Sequence, residues 1–158
     1  MKSFFTPLLC LVSASIFLFT LSACMKKKNE PASTPEVAID FGSSSLYTQE
    51  ERNTAILLIR DKFATFSGCE LHRIRYAGDE ANNEENLEWL NSLREVRSNI
   101  PPEDVGKKYV LVAEFLSDFH SPVEEGPYAW NLDEEYTDYQ WWLGRLEDGR
   151  WEIASWGY

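Results

Sequence analysis

Histidine, cysteine and positive charge are all scarce in this chain. Its 158 residues include two histidines, three cysteines and 15 lysines and arginines, against 26 aspartates and glutamates. A net charge of −11 disfavours nucleic acid as a partner, because gripping a phosphate backbone needs a basic patch. His72 and His120 lie far apart in sequence, so neither has a close histidine for a metal motif. The Gly-x-Ser-x-Gly nucleophile motif is absent, there is no internal repeat, and no cofactor is expected. Two of the cysteines, Cys10 and Cys24, fall in or just after an N-terminal apolar run. With those two spent, Cys69 has no intramolecular disulfide partner. It reads as a small buried hydrophobe, with a reactive thiol as the alternative.

What is present is clearest at the two ends. Lys2 is followed by an uncharged apolar run, Phe4 to Leu21, and then Leu21-Ser22-Ala23-Cys24. A basic start, an apolar stretch and small residues before a cut describe a secretory signal over residues 1–23. The Leu-Ser-Ala-Cys stretch resembles the bacterial lipoprotein box. That resemblance implies a diacylglycerol thioether on Cys24, which becomes the new N-terminus, and a protein anchored in a bacterial membrane facing outside the cytoplasm. Two or three acyl chains would hold it there. The alternative is an uncleaved membrane helix of about 20 residues. Lys26, Lys27 and Lys28 would then outnumber Lys2 and draw the rest into the cytosol. Loss of residues 1–23 removes one lysine and no acid. The remainder is more acidic still, which suits solubility and self-repulsion, and the lysine trio is placed to touch anionic head groups.

Residues 24–45 are rich in Pro, Ser, Thr and acid and read as a flexible tether. Residues 46–158 suit one domain. Thr48 and Glu51 form a capping box ahead of Ala55, Ile56, Ile59, Phe63 and Phe66 at helical spacing, and Gly68 is the stop. A weak strand covers about Cys69 to Tyr76. After a polar loop, Gly78 to Asn86, a second helix carries Leu87, Leu90 and Leu93 and ends by Pro101-Pro102. Tyr109 to His120 is the clearest single strand. A loop from Ser121 to Asp138 follows, long enough to be functional or mobile.

The last 23 residues predict a β-hairpin. Asp148-Gly149 fits a two-residue type I′ turn. Glu147 then faces Arg150, Leu146 faces Trp151, Arg145 faces Glu152, Leu143 faces Ala154, Trp141 faces Trp156 and Tyr139 faces Tyr158. Trp142, Gly144, Leu146, Trp151 and Ile153 make the core face, and a one-residue slip would turn Glu152 into that core. Five of the six tryptophans lie at or beyond Trp130. On the hairpin's other face, Tyr139, Trp141, Trp156 and Tyr158 are either core or a ligand-binding surface.

Leu116-Ser117-Asp118-Phe119, Tyr136 to Trp141, Gly149-Arg150-Trp151 and the closing Trp156-Gly157-Tyr158 resemble an uncharacterised family of bacterial lipoproteins. Its members look like a lipobox, a tether and one small domain ending in such a hairpin, and the family lends no activity. The acidic, Pro- and aromatic-rich loop Ser121 to Glu135 departs from the family's Gly-, Ser- and Asn-rich loop. Helices first and a sheet last is loosely similar to cone-shaped nuclear-transport-factor-two-like folds, which use the sheet's concave face as a pocket and host many functions.

The expectation is therefore an α+β domain, two helices on a curved antiparallel sheet of about four strands ending in a C-terminal hairpin. Asp118 and His120, two apart on one strand, are candidate general bases or metal ligands. Asn131, Asp133, Glu135 and Asp138 offer oxygen donors for an irregular calcium site, although the spacing fails the EF-hand pattern. Arg73 and Arg75 share a strand face, for an anion or for surface ion pairs. The leading functional expectation is a non-catalytic module for a small ligand or a protein partner. The alternatives are an enzyme using Asp118 and His120 and a structural adaptor with no ligand site.

Overall fold

A computed structural model describes residues 36–158. The signal, Cys24 and the lysine trio lie outside the described residues. The elements in chain order are β1 (Ala38–Asp40), α1 (Gln49–Phe63), β2 (Glu70–Tyr76), α2 (Glu84–Glu95), β3 (Tyr109–His120), β4 (Glu135–Leu146) and β5 (Trp151–Gly157). The strands form one sheet in the order β1-β2-β3-β4-β5. β1 pairs parallel to β2 and every other pairing is antiparallel. The fold is α+β, as expected. Among the described residues no helix is long and apolar enough to cross a membrane.

Five strands replace the expected four. The extra one, β1, lies in the stretch read as tether, because Val37, Ile39 and Phe41 alternate and pack against the core. Asp79 then fixes the following residues, accepting from Ser45 N at 2.7 Å, from Ser45 Oγ at 2.8 Å and from the Ser44 hydroxyl. The folded domain thus begins near Val37 rather than at Leu46.

The two helices lie on opposite faces of the sheet. α1 is opened by the capping box: Thr48 Oγ1 accepts from Glu51 N at 3.2 Å and the Glu51 carboxylate accepts from Thr48 N at 2.9 Å. Its buried face, Ala55, Ile56, Ile59 and Phe63, packs with Ile74, Tyr76, Ala113, Phe115, Phe119, Trp141 and Leu143. α2 is capped by Asn83, whose Oδ1 accepts from Asn86 N at 2.9 Å. Its Leu87 and Leu90 pack with Tyr109, Val112, Leu146 and Ala154 on the other face. β3 contributes to both cores, which is why it reads as an almost unbroken apolar run.

The hairpin is closed by three residues instead of two. Gly149 N donates to Leu146 O at 3.0 Å and Leu146 N donates to Arg150 O at 2.9 Å, with Gly149 at φ 87. This is a turn followed by a glycine bulge. It slips the register by one residue, so Arg145 faces Trp151, Gly144 faces Glu152 and Leu143 faces Ile153. A second bulge at Ala154 takes the slip back, and Trp142 faces Ser155 and Trp141 faces Trp156, as the sequence predicts. The predicted core face is therefore corrected. Trp151 joins Trp141 and Leu143 beneath α1, whereas Trp142 and Leu146 belong to the α2 face. Glu152 does turn inward. Its carboxylate accepts from Arg94 Nη2 at 3.2 Å and from the Tyr109 hydroxyl at 2.8 Å. Arg97 donates to the carbonyls of Ile153 and Ala154 at 3.1 and 2.9 Å, satisfying the bulge.

Candidate functional site

One end of the sheet collects the start of β2, the end of β3, the start of β4 and the end of β5. The segment joining β3 to β4 spans residues 121–134, shorter than predicted because β4 begins at Glu135. It is tied at its stem. Ser121 N donates to Glu134 O at 2.8 Å, Asp133 N to Pro122 O at 3.0 Å, Ser121 Oγ to Asn131 O at 2.6 Å, and Glu134 N to Ser121 Oγ at 2.9 Å. Tyr128 and Trp130 fold back onto Phe66, with ring centroids 4.8 and 5.6 Å away. Aromatic packing of this kind holds a loop at low entropic cost.

The four aromatics singled out at the hairpin's end divide. Trp141 is wholly buried, with its Nε1 donating to Ser117 Oγ at 2.8 Å. Tyr139 is buried beside it, and burial pushes its hydroxyl pKa up to about 12. These two are core rather than surface. Trp156 and Tyr158 are 42% and 75% exposed. The Lys62 ammonium sits 4.3 Å from the centre of the Trp156 ring, and the Tyr158 hydroxyl donates to Thr137 O at 3.1 Å. Val123 and Leu132, from the 121–134 loop, are exposed as well.

Asp118 and His120 share a face of β3 but do not work as a pair. Between Ser117/Tyr139 and Phe119/Tyr136 the register of β3 and β4 shifts, and Asp138 takes a left-handed φ of 56. The Asp118 carboxylate accepts from Asp138 N at 3.0 Å, bracing that bulge. His120 has its Nε2 3.0 Å from Asp133 Oδ1 and its Nδ1 3.3 Å from Glu135 Oε2. Those carboxylates, Asp133 first, raise the His120 pKa. His72 Nδ1 lies 2.9 Å from the other oxygen of Glu135.

The oxygen donors proposed for calcium do not converge. Asp133 and Glu135 go to histidine, Asp138 pairs with Arg75 at 2.6 Å, and Asn131 Nδ2 donates to Glu134 at 3.1 Å. Among the described residues no group of three or more His, Cys, Asp or Glu is placed to hold a metal ion. Arg73 pairs with Asp40 at 3.4 Å, so both arginines of that face sit in surface ion pairs. Cys69 is half-buried and free, and desolvation raises its thiol pKa.

Two clefts lie away from this end of the sheet. One of 360 Å³ is lined by Arg94, Arg97, Ile100 and Lys108, and one of 620 Å³ by Val105, Lys107, Glu147 and Asp148. A cleft of 330 Å³ runs beside β5 at Leu93, Arg97 and Trp156, and one of 250 Å³ lies at Tyr128, Trp130 and Leu132. Neither Asp118 nor His120 lines any of these.

Sequence reading missed two buried charge clusters, because each joins residues more than 40 apart. One is Glu152 with Arg94 and Tyr109. The other is Asp104, almost fully buried, which takes a two-pronged pair from Arg150 at 2.9 and 2.6 Å and Lys107 at 2.6 Å. Hydrogen bonds from Arg150 and then Lys107 hold the Asp104 carboxyl well below the usual range. No family model, curated protein or solved structure matches this chain.

Proposed function

We propose that this chain is an extracytoplasmic lipoprotein, anchored to a bacterial membrane through Cys24, whose domain is a non-catalytic module that docks a protein partner. The resemblance to the Trp-Gly-Tyr lipoproteins belongs to this reading. The observation that carries it is the exposure of Trp156 and Tyr158 at the end of the chain's last strand, with Val123 and Leu132 of the 121–134 loop exposed as well. The buried Tyr139 and Trp141 give that end a rigid base. Aromatic anchors on a fixed base favour recognition, since little side-chain freedom is lost on contact. A protein partner suits this end better than a small ligand: its clefts, 250 Å³ at Trp130 and Leu132 and 330 Å³ beside Trp156, fall below or at the bottom of the roughly 300–1,000 Å³ of ligand pockets. The engagement of Asp118 with a bulge, and of His120 with loop carboxylates, speaks against the enzyme reading.

A photo-crosslinking amino acid placed at Tyr158 in the full chain, in its host membrane, tests the proposal. It should yield an adduct of one discrete mass that is lost on Trp156→Ala. The same probe at Lys108, on an exposed flank, should not. Equal adducts from both positions, or none from Tyr158, would refute docking at this end.

A further inference from the structure

The only two histidines of the chain meet at one carboxylate. His72 Nδ1 lies 2.9 Å from Glu135 Oε1, His120 Nδ1 lies 3.3 Å from Glu135 Oε2, and His120 Nε2 lies 3.0 Å from Asp133 Oδ1. The arrangement ties three adjacent strands to the loop, since His72 is on β2, His120 ends β3, Glu135 begins β4 and Asp133 is the loop's penultimate residue. A neutral imidazole carries one N–H and one lone pair. It can donate to Glu135 or to Asp133, but not to both. With carboxylate oxygens opposite both of its nitrogens, His120 is arranged as an imidazolium.

We propose that His120, with His72 joined to it through Glu135, is a proton-operated clamp that closes the stem of the 121–134 loop while His120 is protonated and releases it when that proton is lost at higher pH. This regulation rests on the docking role proposed for that end. Apart from His72, the titratable groups around His120 are acidic. Asp133 and Glu135 touch it, Glu70 faces it from β2, and Asp118 lies two residues back on the same face. The nearby cations are engaged, Arg75 with Asp138 and Arg73 with Asp40.

Deprotonation leaves one carboxylate facing a lone pair. Asp133 is the one to leave, because its side chain is 71% exposed, and although its N–H donates to Pro122 O it holds a left-handed φ of 57 that an L-residue adopts only at some cost. The direction follows from the raised His120 pKa. The clamp is fully formed below the ordinary histidine value of about 6.5 and is lost as pH rises through the higher folded value. Exposed pairs are weak, so the expected change is modest, about two- to fivefold in loop opening.

The test uses the full chain in detergent with a chelator present throughout, so that no bridging metal ion contributes. The histidines are titrated by NMR, and amide exchange of residues 121–135, corrected for intrinsic rates, is measured at pH 5.5 and at one unit above the His120 midpoint so found. Wild type should open about two- to fivefold less often at pH 5.5. His120→Gln and Asp133→Asn should each abolish that difference, and His120 should titrate above the ordinary value. A protection ratio unchanged in both variants, or a His120 titration at or below the ordinary value, would overturn the clamp. The Tyr158 crosslink at both pH values separates this idea from docking. An equal adduct at both pH values leaves docking standing and removes its regulation, whereas pH-dependent protection without any adduct keeps the clamp and removes the docking role.

Discussion

Replacing Gly144 by alanine should damage this domain more than an added methyl group ordinarily would. A Cβ built on Gly144 would stand 2.3 to 2.5 Å from three atoms of the Tyr109 ring, far inside van der Waals contact. Tyr109 cannot simply step aside. It is buried, its hydroxyl donates to Glu152 at 2.8 Å, and the Arg94 guanidinium lies 5.4 Å from its ring centre. Overpacking of a core costs about 1–3 kcal/mol, and losing a hydrogen bond to a charged group costs about 1.5–3 kcal/mol more. A combined loss of about 3–5 kcal/mol is a large share of the roughly 5–15 kcal/mol of a typical domain. Urea unfolding followed by tryptophan fluorescence should place the midpoint of Gly144→Ala roughly 2 M below wild type. Combining it with Tyr109→Val, which vacates the space, should cost less than the two changes summed, because the residues touch. A midpoint within about 0.3 M of wild type, or strict additivity in the double variant, would refute the close packing of ring on glycine.

Other outcomes follow from the same contacts. Gly149→Val should lower stability by about 1–2 kcal/mol, since a β-branched residue resists the left-handed φ of that position; Gly149→Asn should be tolerated, and equal melting temperatures for the two variants would contradict the glycine bulge. Glu152→Gln leaves the buried Arg94 without its counter-charge and should cost about 3 kcal/mol, at the lower end for breaking a buried pair because Glu152 is partly exposed; calorimetry would show it. Asp104→Asn should melt below wild type at pH 7. The carboxyl's depressed pKa stabilises the fold above the unfolded value of about 3.9 and ceases to do so as pH falls through the folded value. The melting temperatures of wild type and variant should therefore converge toward pH 2, and a constant gap across that range would contradict the assignment.

The sequence was legible where one local rule decided the outcome. The Thr48/Glu51 capping box, β3 from Tyr109 to His120, and the pairing of Trp141 with Trp156 all follow from short-range chemistry. It was illegible where two rules competed. Asp148-Gly149 satisfies both a two-residue turn and a longer turn closed by a glycine bulge, and the choice depends on where Trp151 and Ile153 find cover beneath α1. β1 was hidden because three alternating apolar residues in a polar stretch are too few to outweigh composition. At the candidate site, the depth of Tyr139 and Trp141 depends on Phe66 and Trp130, whose positions no local pattern gives. His72 and His120 stand far apart in the chain. They meet because β2 and β3 pair antiparallel, and separation along the chain carries no trace of that.

The two bulges of the terminal hairpin have a consequence for how this sequence can change. Each displaces the strand by one residue and together they restore alignment, so neither can be removed alone. Shortening the loop to two residues while Ala154 still bulges would carry the offset into the open end and part Trp141 from Trp156. Straightening Ala154 with the longer loop in place would do the same. The tolerated route is to alter both at once, so residues on either side of Gly149 and those around Ala154 should vary in concert among relatives of this protein, although the first lie in the turn and the second within β5 and they are not partners across the sheet.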